Sequence, residues 1–285
     1  MTEPRSEYYE SQRVRLHYAV WGDPADGKPS MLMIHGGQDH CRNWDFVADR
    51  LAGRYTIYAP DLRGHGDSGW AIGGMYSLPE FTLDVAALAD RIPGDLTVIG
   101  HSLGGGIALQ YAGTVPHRVK KLVSIEGWGP PMAEAVPAQK RMRDWIGHMR
   151  DVEQRKPRRY PSLEDATARM REVNPHLSAD MARHLTEHGA NRNEDGTYTW
   201  KFDNYVRIRS PYEFNIADAM VIWSQITAPT LLIKGNESWA VDPEKTGRAD
   251  AITNRKTVII EDAGHWVHHD QLDVFMGHLE EFLAA

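Results

Sequence analysis

The chain has 285 residues, of which 41% are hydrophobic and 25% charged, as expected of a globular protein with one large α/β domain and an insertion, or with two small domains. Its formal net charge of −7 argues against nucleic acid or an anionic membrane surface as a partner. The single cysteine, Cys41, excludes an internal disulfide framework and fits a reducing compartment. Together with a polar N-terminus and the lack of an apolar run long enough to span a bilayer, it predicts a cytoplasmic protein.

Short apolar runs alternate with amphipathic segments along most of the chain. Residues 8–21 alternate apolar and polar side chains, which predicts an antiparallel strand at a sheet edge. Further along, the alternation of apolar runs with segments of helical spacing predicts an α/β fold with a doubly wound, mostly parallel sheet. The predicted buried strands cover residues 30–34, 55–59, 96–99, 119–125, 229–235 and 256–260, and predicted helices cover residues 44–51, 81–92 and 272–283.

The segment 132–216 has a different character, because it is basic, helical and free of long buried strands. We therefore predict a helical cap, or lid, inserted after the sixth strand, and an α/β core formed by residues 1–131 and 217–285. A separate interaction domain is the alternative, which is disfavoured because the apolar stripes of these helices need a core to cover them. Apolar stripes and serine caps predict helices over residues 137–152, 162–173 and 178–189, and then a turn and a short strand over residues 193–202.

The pattern Gly100-His101-Ser102-Leu103-Gly104 stands between a predicted strand and a predicted helix. Such a turn holds the serine in a cramped backbone conformation with its hydroxyl projecting from the sheet edge. Glycines suit the close approach of strand and helix, and the helix N-terminus offers N–H donors to a developing oxyanion. The pattern predicts a nucleophilic Ser102, with a plain glycine-rich turn as the alternative.

A nucleophilic serine needs a base, and histidine titrates in the suitable pH range. Among the 14 histidines, His265 is the best placed, because it follows the last predicted strand in a glycine-containing loop at the same sheet edge as Ser102. The base in turn needs a carboxylate that fixes its tautomer. Glu126 follows the strand 119–125, whereas Glu237 and Asp242 follow the strand 229–235, and at this point all three are candidates.

A second glycine loop, His35-Gly36-Gly37-Gln38, follows the first buried strand. Open α/β sheets bind ligands at the carboxyl ends of such central strands. A backbone N–H from Gly37 or Gln38 would be the second oxyanion donor, beside the N–H of Leu103. This loop is therefore predicted to help form the site around Ser102.

Four motifs in this order together resemble the α/β-hydrolase fold superfamily, over about residues 12–127 and 217–285. The resemblance is closest to its serine-hydrolase-like group of esterases and lactonases. The common pattern of the superfamily has aspartate three residues past the glycine that ends the seventh strand, where this chain has Ser238. Some members instead carry the acid after the sixth strand, so the resemblance implies Glu126 as the acid. The motifs are His35-Gly36-Gly37, Arg63-Gly64-His65-Gly66-Asp67-Ser68, Gly100-His101-Ser102-Leu103-Gly104 and Ala263-Gly264-His265.

The sequence therefore predicts a serine hydrolase that cleaves carboxylic esters or lactones of small to medium apolar substrates. Gln38, Trp128 and Trp239 are expected in the substrate pocket, because all three lie in loops beside the predicted site. The expected partner is a small-molecule substrate, with no cofactor and no metal ion; the sequence does not predict an oligomeric state. Hydrolysis of a carbon–carbon bond in a ring-cleavage product, or ligand binding with little turnover, are the alternatives.

Overall fold

A computed structural model describes residues 2–129, 136–208, 210–212 and 215–285. Its main sheet has eight strands in the order β1-β2-β4-β3-β5-β6-β9-β10. Strand β2 pairs antiparallel with β1 and β4, and the other neighbours pair in parallel. The predicted doubly wound, mostly parallel sheet is thus confirmed. The strands are β1 Arg5–Ser11, β2 Val14–Trp21, β3 Ser30–Ile34, β4 Thr56–Pro60, β5 Leu96–His101, β6 Val119–Ile125, β7 Ala190–Arg192, β8 Tyr198–Trp200, β9 Thr230–Gly235 and β10 Arg255–Ile260.

Helices connect the parallel strands and cover both faces of the sheet. Among the described residues, no helix is long and apolar enough to cross a bilayer. One helix begins earlier than its apolar stripe predicted, because Ser77 and Glu80 form a reciprocal capping box at its start. The helices are α1 Asp45–Leu51, α2 Leu78–Ala89, α3 Leu103–Thr114, α4 Ala138–Gln154, α5 Leu163–Val173, α6 Ala179–Gly189, α7 Ile216–Trp223, α8 Val267–Asp270 and α9 Leu272–Ala284.

The core consists of two apolar layers, one on each face of the sheet. On β3, Leu32 and Ile34 pack into the layer covered by α2, α3 and α7, whereas Met31 and Met33 pack into the layer covered by α1, α8 and α9. Both faces of this strand are fully buried, which explains why its sequence is a continuous apolar run. The carboxyl ends of the parallel strands therefore form a rigid edge on which loops can carry a site.

The single edge strand predicted over residues 8–21 is wrong, because the chain forms a hairpin there. Strands β1 and β2 pair through Tyr9 and Leu16, and their two-residue turn is Gln12-Arg13. Both turn residues have left-handed backbone angles, with φ of 48° at Gln12 and 66° at Arg13. Hairpin turns of this kind usually carry asparagine or glycine, so the sequence gives no turn signal here.

Helices α4, α5 and α6 and the β7–β8 hairpin lie in the chain between β6 and α7, within the range predicted to form the cap. Helix α6 rests on the core: His40 Nε2 donates to the Leu185 carbonyl over 2.9 Å, and His184 Nε2 lies 3.0 Å from the Asp45 carboxylate. The predicted boundary between residues 131 and 132 falls outside the described residues. The division into core and cap remains a prediction.

Candidate active site

Ser102 occupies the sharp turn between β5 and α3. Its backbone angles are φ 53° and ψ −116°, and its N–H donates to the Ile125 carbonyl at the end of β6 over 2.7 Å. A Cβ atom on Gly104 would lie 2.2 Å from the Ile34 carbonyl oxygen, so only glycine fits where the helix passes β3. The strained backbone and the close packing are those of a nucleophile elbow, which projects the serine hydroxyl from the sheet edge.

His265 lies in the loop between β10 and α8 and faces this serine. Its Nε2 is 2.8 Å from Ser102 Oγ. His101 at the end of β5 fixes this loop, because its Nε2–H donates to the His265 carbonyl over 2.8 Å. Burial lowers the pKa of His101 well below its usual value, so this imidazole is neutral and stays a donor at one nitrogen. The predicted serine–histidine pair is therefore brought together in geometry suited to proton transfer.

Glu126 is the carboxylate that lies behind His265. Its Oε2 is 3.5 Å from His265 Nδ1, and the residue is only 5% exposed. Its Oε1 accepts the Gly235 N–H over 2.7 Å, and its Oε2 accepts the Ser238 hydroxyl over 2.8 Å. These donors stabilise the charged carboxylate in its buried place beside the imidazole.

Ser238 is the member of this group that the sequence did not assign. Its Oγ lies 3.5 Å from His265 Nδ1, besides donating to Glu126, and it accepts the Ala240 N–H over 3.1 Å. It stands at the position where the superfamily resemblance expects aspartate. That departure from the pattern was the signal that this position faces the histidine.

The other two candidate acids point elsewhere. Asp242 Oδ1 accepts the backbone N–H of Glu244 over 3.0 Å and so shapes its own turn. Glu237 is half exposed and lies 3.4 Å from His176 Nε2. Among the three carboxylates, Glu126 is the one that the structure brings to His265.

The predicted oxyanion loop packs directly against the elbow. A Cβ atom on Gly36 would lie 3.3 Å from Ser102 Cβ, and one on Gly37 would lie 3.9 Å from Leu103 Cδ2. Leu103 opens helix α3, where the first N–H groups have no partner within the helix. The loop of Gly36 and Gly37 therefore lies against the elbow, and the N–H groups of Gly37 and Leu103 stay the predicted oxyanion donors.

His35 holds this loop in place. Its Nδ1–H donates to the Gly36 carbonyl over 2.6 Å, while its Nε2 accepts the Leu62 N–H over 3.0 Å. Burial lowers the pKa of His35 to about 3, so the ring is neutral and makes both bonds at neutral pH. Gln38 follows the loop, with a left-handed φ of 62° and an exposed side chain.

The expected role of Trp128 in the substrate pocket is wrong. The side chain is 1% exposed and packs in the apolar layer, and its indole N–H donates to the Val241 carbonyl over 2.7 Å. Trp239, by contrast, is 66% exposed and stacks on the His265 ring with a centroid distance of 4.5 Å. Of these two tryptophans, Trp239 is the one that is exposed and contacts the imidazole of His265.

A cavity of about 770 Å³ opens beside this site, between the oxyanion loop and the predicted cap. Gly37, Gln38 and Trp266 line its core side. Its other side mixes apolar and polar residues and carries five cationic side chains. The residues of the predicted cap that line it are Lys156, Pro157, Arg158, Arg159, Tyr160, Arg169, Met170, Val173, Asn174, Asn191, Asn193, Thr199, Trp200, Phe202, Asn204 and Arg207, and Trp70 lines it from a loop of the predicted core.

Two clusters among the described residues combine side chains of metal-ligand type. In the first, Asp61 is already 2.7 Å from His17 Nδ1. In the second, Asp45 is already paired with Arg42 and with His184. We assign neither cluster a part in the chemistry at Ser102, and the expected lack of a metal stays a prediction. The clusters are His17, Cys41 and Asp61, and Asp45, His184 and His188.

Known proteins resemble this chain over nearly its whole length. A family model described as alpha/beta hydrolase fold matches residues 29–272. A serine hydrolase-like protein of Danio rerio is 28% identical over 280 residues, which cover 94% of this chain and 85% of that protein. The esterase Rv0045c of Mycobacterium tuberculosis is 28% identical over 275 residues, which cover 94% of this chain and 86% of that protein.

A solved structure shares the described fold over nearly the whole chain. The thioesterase domain from the curacin biosynthetic pathway matches with a TM-score of 0.84 and 25% identity, over 98% of this chain and 99% of that one. Together with the relatives, this similarity supports a hydrolase.

Proposed function

We propose that this chain, which belongs to the α/β hydrolase fold family, is a serine hydrolase that cleaves carboxylic esters or lactones through an acyl-enzyme on Ser102. The observation that carries the proposal is the 2.8 Å contact between His265 Nε2 and Ser102 Oγ. A buried carboxylate, that of Glu126, lies on the opposite side of the same imidazole. A serine, a base and an orienting acid in this order are the parts that acyl transfer needs.

The first half of the reaction forms the acyl-enzyme. His265 Nε2 takes the Ser102 proton while the serine oxygen attacks the ester carbonyl carbon. The N–H groups of Leu103 and Gly37 hold the oxyanion of the tetrahedral intermediate. As the intermediate collapses, the bond from the carbonyl carbon to the alcohol oxygen breaks, and His265 gives its proton to that leaving oxygen.

The second half releases the acid and restores the serine. His265 takes a proton from water, whose oxygen attacks the acyl carbonyl in the same oxyanion site. The bond to Ser102 Oγ breaks, and that oxygen recovers its proton from the imidazolium. Throughout, Glu126 positions the ring and stabilises its charged form without itself taking a proton.

A serine nucleophile argues against dehalogenase or epoxide-opening chemistry. Those reactions proceed through an alkyl ester of an aspartate, which water hydrolyses at the carbonyl carbon. Attack by Ser102 on an alkyl carbon would instead form an ether, which has no such route to product.

Hydrolysis of a carbon–carbon bond remains the second candidate, because the cavity beside the site has cationic walls. A dienol carboxylate from a ring-cleavage reaction needs such groups to hold its charge. A plain aryl ester has no need of them, so the ratio of activity on the two substrates separates the candidates.

Covalent labelling with a fluorophosphonate, located by peptide mass spectrometry, tests the proposed function. We expect a stoichiometric adduct on Ser102 that is lost in Ser102→Ala and in His265→Ala. A panel of esters and lactones then measures turnover. Folded wild-type protein that gives neither an adduct nor turnover would refute the proposal and favour a ligand-binding protein on the same fold.

A further inference from the structure

The cavity beside the site has a strongly cationic wall. Five of its lining residues are lysine or arginine, and among the residues that the structure describes no aspartate or glutamate lines it. Arg159 and Arg169 have their own partners, at 2.6 Å from Asp195 and 2.6 Å from Glu172. The remaining three are Lys156, Arg158 and Arg207.

None of these three cations forms a salt bridge with a carboxylate among the residues that the structure describes, although the hydrogen bond from Arg169 and, to a smaller extent, the charge of Arg158 lower the pKa of Glu172 on α5. Arg158 lies over the Tyr160 ring and Arg207 over the Phe202 ring, each 5.0 Å from the ring centroid. Aromatic faces hold a guanidinium in place without neutralising it, so its N–H donors stay available. The three residues also border an adjoining cavity of about 460 Å³, where Asp151 is the single acidic residue among the described lining residues.

The electrostatics of Arg207 agree with an unmet positive charge. Burial lowers the pKa of this guanidinium, Tyr160 acts in the opposite direction, and the charges of Arg155 and Arg169 lower it further. Clustered cations repel one another, and a bound anion removes that repulsion while it accepts charge-assisted hydrogen bonds. Such a cluster is therefore better suited to an anionic ligand than to an apolar one.

At its other end the same cavity borders the loops that hold the reacting groups, although neither Ser102 nor His265 is among its lining residues. Gly37, a proposed oxyanion donor, and Trp266, which directly follows His265, both line it. A molecule that extends from Ser102 along the cavity therefore meets the cationic wall.

From this arrangement, and on the basis of the proposed function, we propose that the substrate is an ester with an anionic group, and that Lys156, Arg158 and Arg207 bind that group. The anion is a carboxylate or a phosphate, both of which the forked N–H groups of arginine recognise. Its charge lies in the part of the substrate that remains remote from the scissile bond. This inference replaces the apolar substrate that the sequence predicts with an amphiphilic one.

Matched substrates test the inference. The 4-nitrophenyl half-esters of glutarate, adipate and suberate carry a terminal carboxylate, and the 4-nitrophenyl esters of the corresponding monocarboxylic acids do not. We expect kcat/KM to be larger for at least one half-ester than for its neutral counterpart. Higher salt should reduce this preference, because the cavity is open to solvent screening.

Variants assign the preference to the cationic wall. Lys156→Gln, Arg158→Gln and Arg207→Gln should each lower the ratio of kcat/KM for the half-ester to that for the neutral ester by about tenfold, as expected for a charged hydrogen-bond donor. Arg171→Gln is the matched control, because Arg171 lies on helix α5 with Arg169 but does not line the cavity. This control should leave the ratio unchanged.

Competition by adipate and by inorganic phosphate identifies the kind of anion. If adipate inhibits the neutral ester competitively, the site takes carboxylates, and if phosphate does so, it takes phosphates. Equal loss of both activities in the three variants would overturn the proposal, since it would show a purely structural effect.

The two proposals fail in different ways. If Ser102 is labelled and the neutral esters are cleaved with no preference for a half-ester, the anion site is refuted and the serine hydrolase stands. If no ester is cleaved and Ser102 is not labelled, the proposed function fails. Calorimetric titration of the wild-type protein with adipate and with phosphate then decides the anion site alone, and no binding of either would refute it.

Discussion

Replacing Glu126 by glutamine tests the role of the acid with very little change in shape. Both carboxylate oxygens accept hydrogen bonds, Oε1 from the Gly235 N–H and Oε2 from the Ser238 hydroxyl. A glutamine amide has one acceptor oxygen, and the backbone N–H of Gly235 cannot turn away. The oxygen must therefore face Gly235, which leaves the amide NH₂ facing Ser238 and His265.

That arrangement selects the wrong tautomer of His265. An NH₂ group opposite Nδ1 favours an unprotonated Nδ1, so the ring proton moves to Nε2, where it blocks transfer from Ser102. We expect kcat for an ester to fall by about 10³–10⁴-fold, which corresponds to about 4–5.5 kcal/mol of activation free energy. KM should change little, because the side chain is buried behind the base.

The assay is steady-state hydrolysis of a 4-nitrophenyl ester, with the fluorophosphonate labelling rate of Ser102 as a second readout. Glu237→Gln and Asp242→Asn are the matched controls and should stay near wild type. Adding Ser238→Asp to the Glu126→Gln variant should restore part of kcat, because position 238 already faces His265 Nδ1 at 3.5 Å. Near-wild-type activity of Glu126→Gln together with loss of activity in Asp242→Asn would refute the assignment.

Three further predictions concern the support of the site. Gly104→Ala should lower the free energy of unfolding in urea by about 2 kcal/mol, because its Cβ would meet the Ile34 carbonyl, whereas Gly277→Ala in open space on α9 should raise it by about 0.5–1 kcal/mol. Equal effects would contradict the packing argument. Ser238→Ala should lower kcat about tenfold by freeing Glu126 Oε2, and Ser238→Thr, which keeps the hydroxyl, should restore it; no loss in the alanine variant would remove Ser238 from the site. Burial lowers the pKa of His35 to about 3 from 6.5, so the unfolded chain binds more protons on acidification, and stability should fall below about pH 6.5 by about 1 kcal/mol per pH unit for this residue. Urea titrations from about pH 7 to pH 5 measure the summed slope of His35 and the other buried histidines, and a smaller slope in His35→Gln gives the share of His35; equal slopes would contradict its buried neutral state.

Local patterns were enough to predict the sheet and the proximity of Ser102 and His265. Each buried strand is a short apolar run, and the elbow is a contiguous motif whose glycines are required by the close packing of β3, β5 and α3. The loop that ends in His265 follows the last strand, so chain order alone put it at the correct sheet edge. These features depend on neighbours in sequence.

Features that depend on side-chain direction could not be predicted in this way. The sequence left three carboxylates as candidates for the acid beside His265. The packing of β6, β9 and β10 places Glu126 at 3.5 Å from His265 Nδ1, whereas Glu237 and Asp242 have other partners. Trp128 is only two residues from Glu126, yet its side chain points into the core and not to the substrate. The cationic residues Lys156 and Arg158 belong to a segment that the sequence shows to be basic, but their lack of a salt bridge to a described carboxylate is a property of the fold.

The segment directly after Glu126 is anchored to the core by hydrogen bonds at Trp128 and Gly129. Trp128 is buried and bonded to Val241, and Arg248 Nη1 donates to the carbonyls of Trp128 and Gly129, over 3.0 Å in each case. These bonds tie the segment to the core directly after Glu126, so a shift in the predicted cap has to pass an anchored stretch of chain before it can displace that carboxylate. Changes in the length or charge of the predicted cap are therefore expected to leave the position of Glu126 intact, which would let the two parts of the chain vary separately.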